Sequence, residues 1–269
     1  MQNSDPTRVF VVGCPRSGTT LIQALLCTSP EIISFTESHF FGKYPCWNSS
    51  FAKPSLPQVL RNCVRKRHQV NRWLAENGFD AAIGYTFDPD KLAMRFLQLL
   101  DEEAVRRGAT FWVEKTPRHL HFIETISSLS PNTRFVHVIR NPKDTVASLV
   151  SASKQWSHPY SLQEAAKRWF QDYSLSLAYS DAPQHKVVRY EDILSKPEEV
   201  AGLFDFLSLS APPDYDVLLG EVASEIVHHS ESWKNNNFGP ILSGNVGTYK
   251  NVLTDDEQKY VESLFKGYA

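Results

Sequence analysis

The chain has 269 residues, 42% hydrophobic and 22% charged, enough for one substantial core and ordinary for a globular protein. Its 28 Lys and Arg against 30 Asp and Glu leave a formal net charge of -2, which excludes a global field for nucleic acid or an anionic membrane, so any anion site must be built locally. Cys14, Cys27, Cys46 and Cys63 form no C-x-x-C pair and read as free thiols of a reducing compartment. With no apolar run of membrane-spanning length and a polar start leading straight into a strand, a cytoplasmic enzyme, or a domain of something larger, is expected.

In chain order, Arg8 to Val12 is a β-branched apolar run, hence a buried strand. A glycine-containing loop follows, then a helix over Leu21 to Cys27 and a second strand in "EIISF". Pro57 to Glu76 is an amphipathic helix with Leu60, Val64, Val70 and Leu74 on one stripe. Arg61, Arg65, His68 and Arg72 line another face, either solvated surface or a receiver for an anionic acceptor or carrier protein. Asp90 to Arg107 is helical, and "TFWVEK" and "TRFVHVIR" are strands flanking a helix from His119 to Leu129. Helices over Lys143 to Ser153 and Leu162 to Tyr179 precede a strand in "HKVVRY". Capping boxes, Ser195 with Glu198 and Thr254 with Glu257, open two later helices. This alternation predicts an α/β, P-loop-type three-layer fold with a mainly parallel central sheet flanked by helices. Without repeats or a linker, residues 1–269 read as a single domain.

The loop Gly13-Cys14-Pro15-Arg16-Ser17-Gly18-Thr19-Thr20 carries the chemistry. Between a strand and a helix, its backbone N–H groups and the positive end of the helix dipole make a site for a phosphate oxyanion. Gly13 and Gly18 keep the spacing of G-x-x-x-x-G-K-S/T, but Thr19 replaces the lysine that reaches the β- and γ-phosphates. Arg16 supplies positive charge from inside the loop instead. "FVHVIR" ends in Arg140, not in a magnesium-holding Asp, so a metal-triphosphate enzyme is disfavoured. Cys14, ahead of a helix, reads as a packing residue, with a reactive thiolate as the alternative.

"PRSGTTL", "PEIISFTES", "EKTPRH", "RFVHVIRNPKDTVASL" and "VVRYEDIL", in this order and spacing, resemble the sulfotransferases that use 3′-phosphoadenosine 5′-phosphosulfate (PAPS). The first two segments are especially similar to the tyrosylprotein sulfotransferases and the bacterial members. The resemblance implies that the loop grips one phosphate bearing a sulfonate, which needs neither a lysine nor a metal. Arg16, Ser17, Gly18, Thr19 and Thr20, following Pro15, match the 5′-phosphosulfate loop, and Arg140 with Ser148 matches the family's pair for the 3′-phosphate. Geometry agrees, since Arg140 closes a strand and Ser148 lies two turns into the next helix. The alternative for Arg140 is an ion pair with Asp144. Tyr190 matches a position beside the cofactor, a buried sheet tyrosine being the other reading.

Sulfuryl transfer needs a deprotonated acceptor and cations where charge collects. Glu37, just after the second strand, matches the family's glutamate base; set among Phe35, Phe40 and Phe41, its pKa would rise towards neutrality. His39, two residues on, is the competing base. Lys115 matches a lysine poised over the transferring group, where with Arg16 it would stabilise the leaving oxygen; a pair with Glu114 is the alternative. "SGNVGTYKN", with Ser243, Gly247 and Lys250, resembles the closing loop over the nucleotide but is poorer in basic residues than many members. His119 and His121 alternate as if on opposite faces, and the pair His228-His229 has no carboxylate at ligand spacing, so no metal is expected. Residues 43–108 match nothing clearly and read as an acceptor-selecting helical insertion. The acceptor itself stays open among alcohol, phenol, amine, sugar, peptide and carrier-tethered groups, with a hydroxyl favoured. A P-loop small-molecule kinase and a non-catalytic nucleotide-binding protein are the alternatives.

Overall fold

The computed structural model describes residues 5–43, 55–226 and 246–266. Five strands form one parallel sheet: β1 (Thr7–Gly13), β2 (Ile32–Phe35), β3 (Phe111–Lys115), β4 (Arg134–Ile139) and β5 (His185–Arg189), in the order β2-β3-β1-β4-β5. Val9 to Val12 are fully buried because a central parallel strand is covered on both faces. The period of two sends Val9 and Val11 into one core with Val113, Val136 and Val188, and Phe10 into the other with Phe35, Trp112 and Phe135.

The first core is closed by α1 (Thr19–Leu26), α8 (Pro197–Phe206) and α9 (Tyr215–Ile226). Opposite, α2 (Leu56–Glu76), α3 (Pro89–Arg106) and α4 (Ile123–Leu129) cover an aromatic cluster in which the Phe10 ring meets Trp112 at 5.6 Å and Phe135 at 5.9 Å. The 43–108 region thus supplies two helices, and α3 packs Leu92, Phe96 and Leu100 into that same core. A third cluster joins α5 (Pro142–Ser153), α6 (Leu162–Leu177) and α10 (Asp255–Leu264) around Trp169. No helix among the described residues is long and apolar enough to cross a membrane.

Several local expectations are revised. On α2 the buried stripe is Cys63, Lys66, Val70 and Leu74, while Leu60 and Val64 are only half-buried. The basic residues Arg61, Arg65, His68 and Arg72 are exposed as expected. Thr254 and Glu257 form the predicted capping box, but Ser195 does not. It ends α7 (Tyr190–Ser195) and donates to Glu191 O, so Lys196 becomes the N-cap of α8 ahead of Pro197. The third box, Ser161 with Glu164 on α6, escaped the sequence pattern. The helix expected from His119 starts as a 3₁₀ turn, Pro117–Phe122.

Candidate active site

The carboxyl ends of β1, β3 and β4 meet where the connections leave the sheet in opposite directions, the usual place for a ligand in such folds. Gly13 pairs with Val138 across β1 and β4, and a Cβ at Gly13 would lie 2.5 Å from Val138 O. The chain then turns sharply: Arg16 takes φ 73° and Gly18 φ 97°. A left-handed arginine is uncommon and persists only where its surroundings hold it. Here Arg16 Nε donates to Ser148 Oγ at 2.9 Å, and Arg140 Nη1 donates to Arg16 O at 3.3 Å.

Two observations fit this loop to an anion. No side chain caps α1, and its hydrogen bonds begin with Leu21 N and Ile22 N donating to Gly18 O, which leaves the N–H groups of Thr19 and Thr20 to face the loop. The Ser17 hydroxyl is fully buried with no protein hydrogen-bond partner. Thr19 is buried and Thr20 and Pro15 half-buried along the same turn. Tyr190, expected on the strand, instead opens α7. Its ring lies against Gly18, where an added Cβ would come within 2.2 Å of it. The Arg140 guanidinium lies over the same ring, 4.5 Å from its centre.

Glu37 and Lys115 meet across β2 and β3. Lys115 Nζ donates to Glu37 Oε1 in a short contact, and Glu37 Oε2 lies 3.4 Å from His39 Nε2. The apolar surrounding expected for Glu37 does not form, because Phe35, Phe40 and Phe41 turn into the core and leave the carboxylate between a cation and an imidazole. Lys115 does not pair with Glu114. That fully buried carboxylate accepts Ser38 N at 3.0 Å, Ser38 Oγ at 2.8 Å and Thr116 Oγ1 at 2.6 Å. Its Oε2 lies 2.9 Å from His119 Nδ1. Burial pushes the Glu114 pKa up, but attraction to His119 and the bonds from His119, Thr116 and Ser38 outweigh it and draw it down to about 2. Phe41 N donates to His119 Nε2, which leaves the ring proton on Nδ1, facing Glu114.

The alternative ion pair of Arg140 with Asp144 is not made. Asp144, 1% exposed, accepts Gly247 N at 2.9 Å, Thr248 Oγ1 at 3.3 Å and Tyr249 N at 3.1 Å. It thereby docks the segment carrying Gly247 and Lys250 beside α5; Lys250 is exposed, and Ser243 lies outside the described residues. Cys14 is a packing residue: burial first, then Asp172, raises its thiol pKa well above the usual value. No group of three or more His, Cys, Asp or Glu suited to a metal occurs among the described residues.

Beside Glu37 and His39 opens a cavity of about 290 Å³, walled by Gln69, Arg72 and Trp73 of α2 and Phe96 of α3, near the lower end of small-molecule sites. A larger one, about 460 Å³, lies at the opposite sheet edge between Thr7, Asn132 and Gln184, far from the loop.

A curated protein of Caenorhabditis briggsae named "Putative protein-tyrosine sulfotransferase" is 23% identical over 230 residues, covering 83% of this chain and 69% of its own. Among solved structures, the sulfotransferase domain from the curacin biosynthetic pathway aligns with 97% of this chain and 98% of its own, at TM-score 0.58 and 17% identity. The sulfotransferase domain of the Synechococcus PCC 7002 olefin synthase covers 98% and 96%, at TM-score 0.59 and 16% identity. Mouse sulfotransferase SULT7A1 complexed with PAP covers 97% and 83%, at TM-score 0.51 and 13% identity. The sequence model described as "Sulfotransferase family" matches residues 6–213, and with that span the chain belongs to the sulfotransferase family.

Proposed function

We propose that the chain transfers the sulfuryl group of PAPS to a hydroxyl of its acceptor, without a metal. The observation that carries this reading is a convergence at one sheet edge. A loop with an unpartnered buried hydroxyl, Ser17, is tied through Arg16 to Ser148 and Arg140 on one side, with the Lys115–Glu37 pair on the other. A single phosphate with its sulfonate suits the lysine-free loop, and the second phosphate suits Arg140 with Ser148. The mouse structure that shares the fold is a complex with PAP, which supports a nucleotide of this kind.

In this reading Gly18, Thr19, Thr20 and Ser17 hold the 5′ end of the nucleotide. Arg140, stacked on Tyr190, and Ser148 hold its 3′-phosphate, under the segment with Gly247 and Lys250. The nucleotide supplies a sulfuryl group on its 5′-phosphate and leaves as adenosine 3′,5′-bisphosphate. Glu37 accepts the acceptor's hydroxyl proton at Oε2 as the new oxygen–sulfur bond forms and the bond to the 5′-phosphate oxygen breaks. Lys115 and Arg16 neutralise charge on the departing oxygen, the electrostatic work that dominates such transfers. His39, on the same carboxylate oxygen, is the second candidate base. The acceptor enters through the 290 Å³ cavity, so α2 and α3, from the 43–108 region, select it.

The test follows ³⁵S from labelled PAPS onto a panel of phenols and alcohols, with wild type, Glu37→Gln and His39→Ala, with and without EDTA, and in a separate arm ³²P from ATP-magnesium onto the same acceptors. Label reaching an acceptor with wild type but not with Glu37→Gln supports the reading. Loss with EDTA, or transfer of phosphate from ATP-magnesium instead, contradicts it.

A further inference from the structure

Residues 36–39 carry the candidate base with no regular secondary structure, yet both sides of this segment are held. Towards the sheet, Ser38 N binds Glu114, His39 N donates to Thr116 Oγ1 at 3.3 Å, and Phe41 N donates to His119 Nε2 at 3.2 Å. The other side belongs to α2. Asn77, its C-cap, accepts Thr36 N and Thr36 Oγ1 at 3.4 and 3.0 Å through Oδ1. About three helical turns earlier, Lys66 Nζ donates to His39 O at 3.3 Å and to Phe40 O in a short contact. The same ammonium stands 4.7 Å from the centre of the Phe40 ring.

Both posts stand on one helix, about three turns or roughly 16 Å apart along its axis. Lys66 is only 3% exposed, and a lysine is rarely taken so far out of water unless its ammonium is used. What it holds needs holding, because His39 has φ 49°, a left-handed conformation that a non-glycine residue keeps only under constraint.

We infer that Lys66 is a positioning residue for the transfer: from the helix that walls the cavity, it holds the His39 and Phe40 carbonyls and so fixes how Glu37 and His39 face the acceptor. The inference rests on the proposed role of Glu37. It makes α2 a single rigid part that both lines the acceptor cavity and sets the base.

The experiment compares Lys66→Met, which keeps length but donates nothing, with Lys66→Arg, whose guanidinium can still serve two carbonyls. Amide hydrogen exchange is read by peptide with adenosine 3′,5′-bisphosphate bound, and ³⁵S transfer from PAPS to 2-naphthol is measured in parallel. In Lys66→Met, exchange over 38–41 rises at least tenfold while β1 and β4 stay protected. Its kcat falls at least tenfold, with the bisphosphate Kd within twofold of wild type, and Lys66→Arg restores both to within threefold. Unchanged exchange over 38–41, or a rise that includes β1 and β4 equally, overturns the inference. A wild-type chain that transfers nothing to any hydroxyl counts against the function proposed for the site, and the exchange result still decides the role of Lys66 in holding the segment.

Discussion

At the residue scale, the site is a set of side chains whose partners fix their roles. Glu37 lines the cavity with Oε1 on Lys115 and Oε2 3.4 Å from His39 Nε2, so in the proposed transfer Oε2 is the oxygen that takes the proton. General-base catalysis contributes about 10²–10⁴-fold. Glu37→Gln, nearly isosteric, is therefore expected to lower kcat by about that factor in the ³⁵S assay and leave bisphosphate affinity within about threefold. His39→Ala, at a half-exposed ring, is expected to lose less than about tenfold; the reverse ranking would make His39 the base. The loop, Glu37, Lys115 and Arg140 were legible because each sits at or just past a strand's carboxyl end, where order along the chain fixes position. Glu114 and Lys66 were not. A buried carboxylate among apolar strand residues and a buried lysine on a helix both break the apolar–polar code that periodicity reads.

At the element scale, strands and long helices were legible from their periods, and short-range signals misled where two competed. Ser195 has the spacing of a capping box, but Pro197 sets the helix start and makes Lys196 the N-cap. Tyr190 reads as the end of a strand because it follows the β-branched pair Val187-Val188 with no turn residue between, yet it opens a helix that brings its ring against Gly18. The docking of the 3₁₀ turn Thr248–Asn251 onto α5 through Asp144 was invisible, since donors and acceptor lie more than a hundred residues apart. Hydrogen bonds to a charged acceptor are worth about 1.5–3 kcal/mol. Asp144→Asn, which keeps one acceptor oxygen and adds a donor facing N–H groups, should loosen that turn without disturbing the sheet. The expected outcome is roughly tenfold weaker bisphosphate binding and faster amide exchange over 247–249. Unchanged affinity would separate this segment from the nucleotide.

At the scale of the whole molecule, one sheet carries the proposed nucleotide edge and, in β4 and β5, a histidine pair. His137 Nε2 lies 2.9 Å from His185 Nδ1, and the rings stack with Phe135 and Tyr179. Burial first, then the neighbouring His185, lowers the His137 pKa to about 3, and burial lowers His185 to about 4. Both therefore stay neutral in the folded chain while the unfolded chain protonates them near 6.5. Their contribution is complete above that pH and is lost as pH falls towards 4. By pH 5, His137 alone costs about 2 kcal/mol, with less from the more exposed His185. For a chain of this size that is roughly 4–8 °C, so the fall in Tm from pH 7 to pH 5 should shrink by about that much in His137→Leu. Equal falls would exclude the pair as a source of acid sensitivity. The proposed transfer needs two phosphate sites, one in the Arg16–Thr20 loop and one at Arg140. The most direct measurement is calorimetric titration of wild type and Arg140→Ala with adenosine 3′,5′-bisphosphate and with adenosine 5′-monophosphate. The expected result is that Arg140→Ala weakens the bisphosphate at least about tenfold more than the monophosphate, the scale of one charged hydrogen-bonded contact, with the monophosphate losing only what the bond from Arg140 to Arg16 O contributes. Equal weakening of both nucleotides, or no bisphosphate binding to wild type, would contradict it.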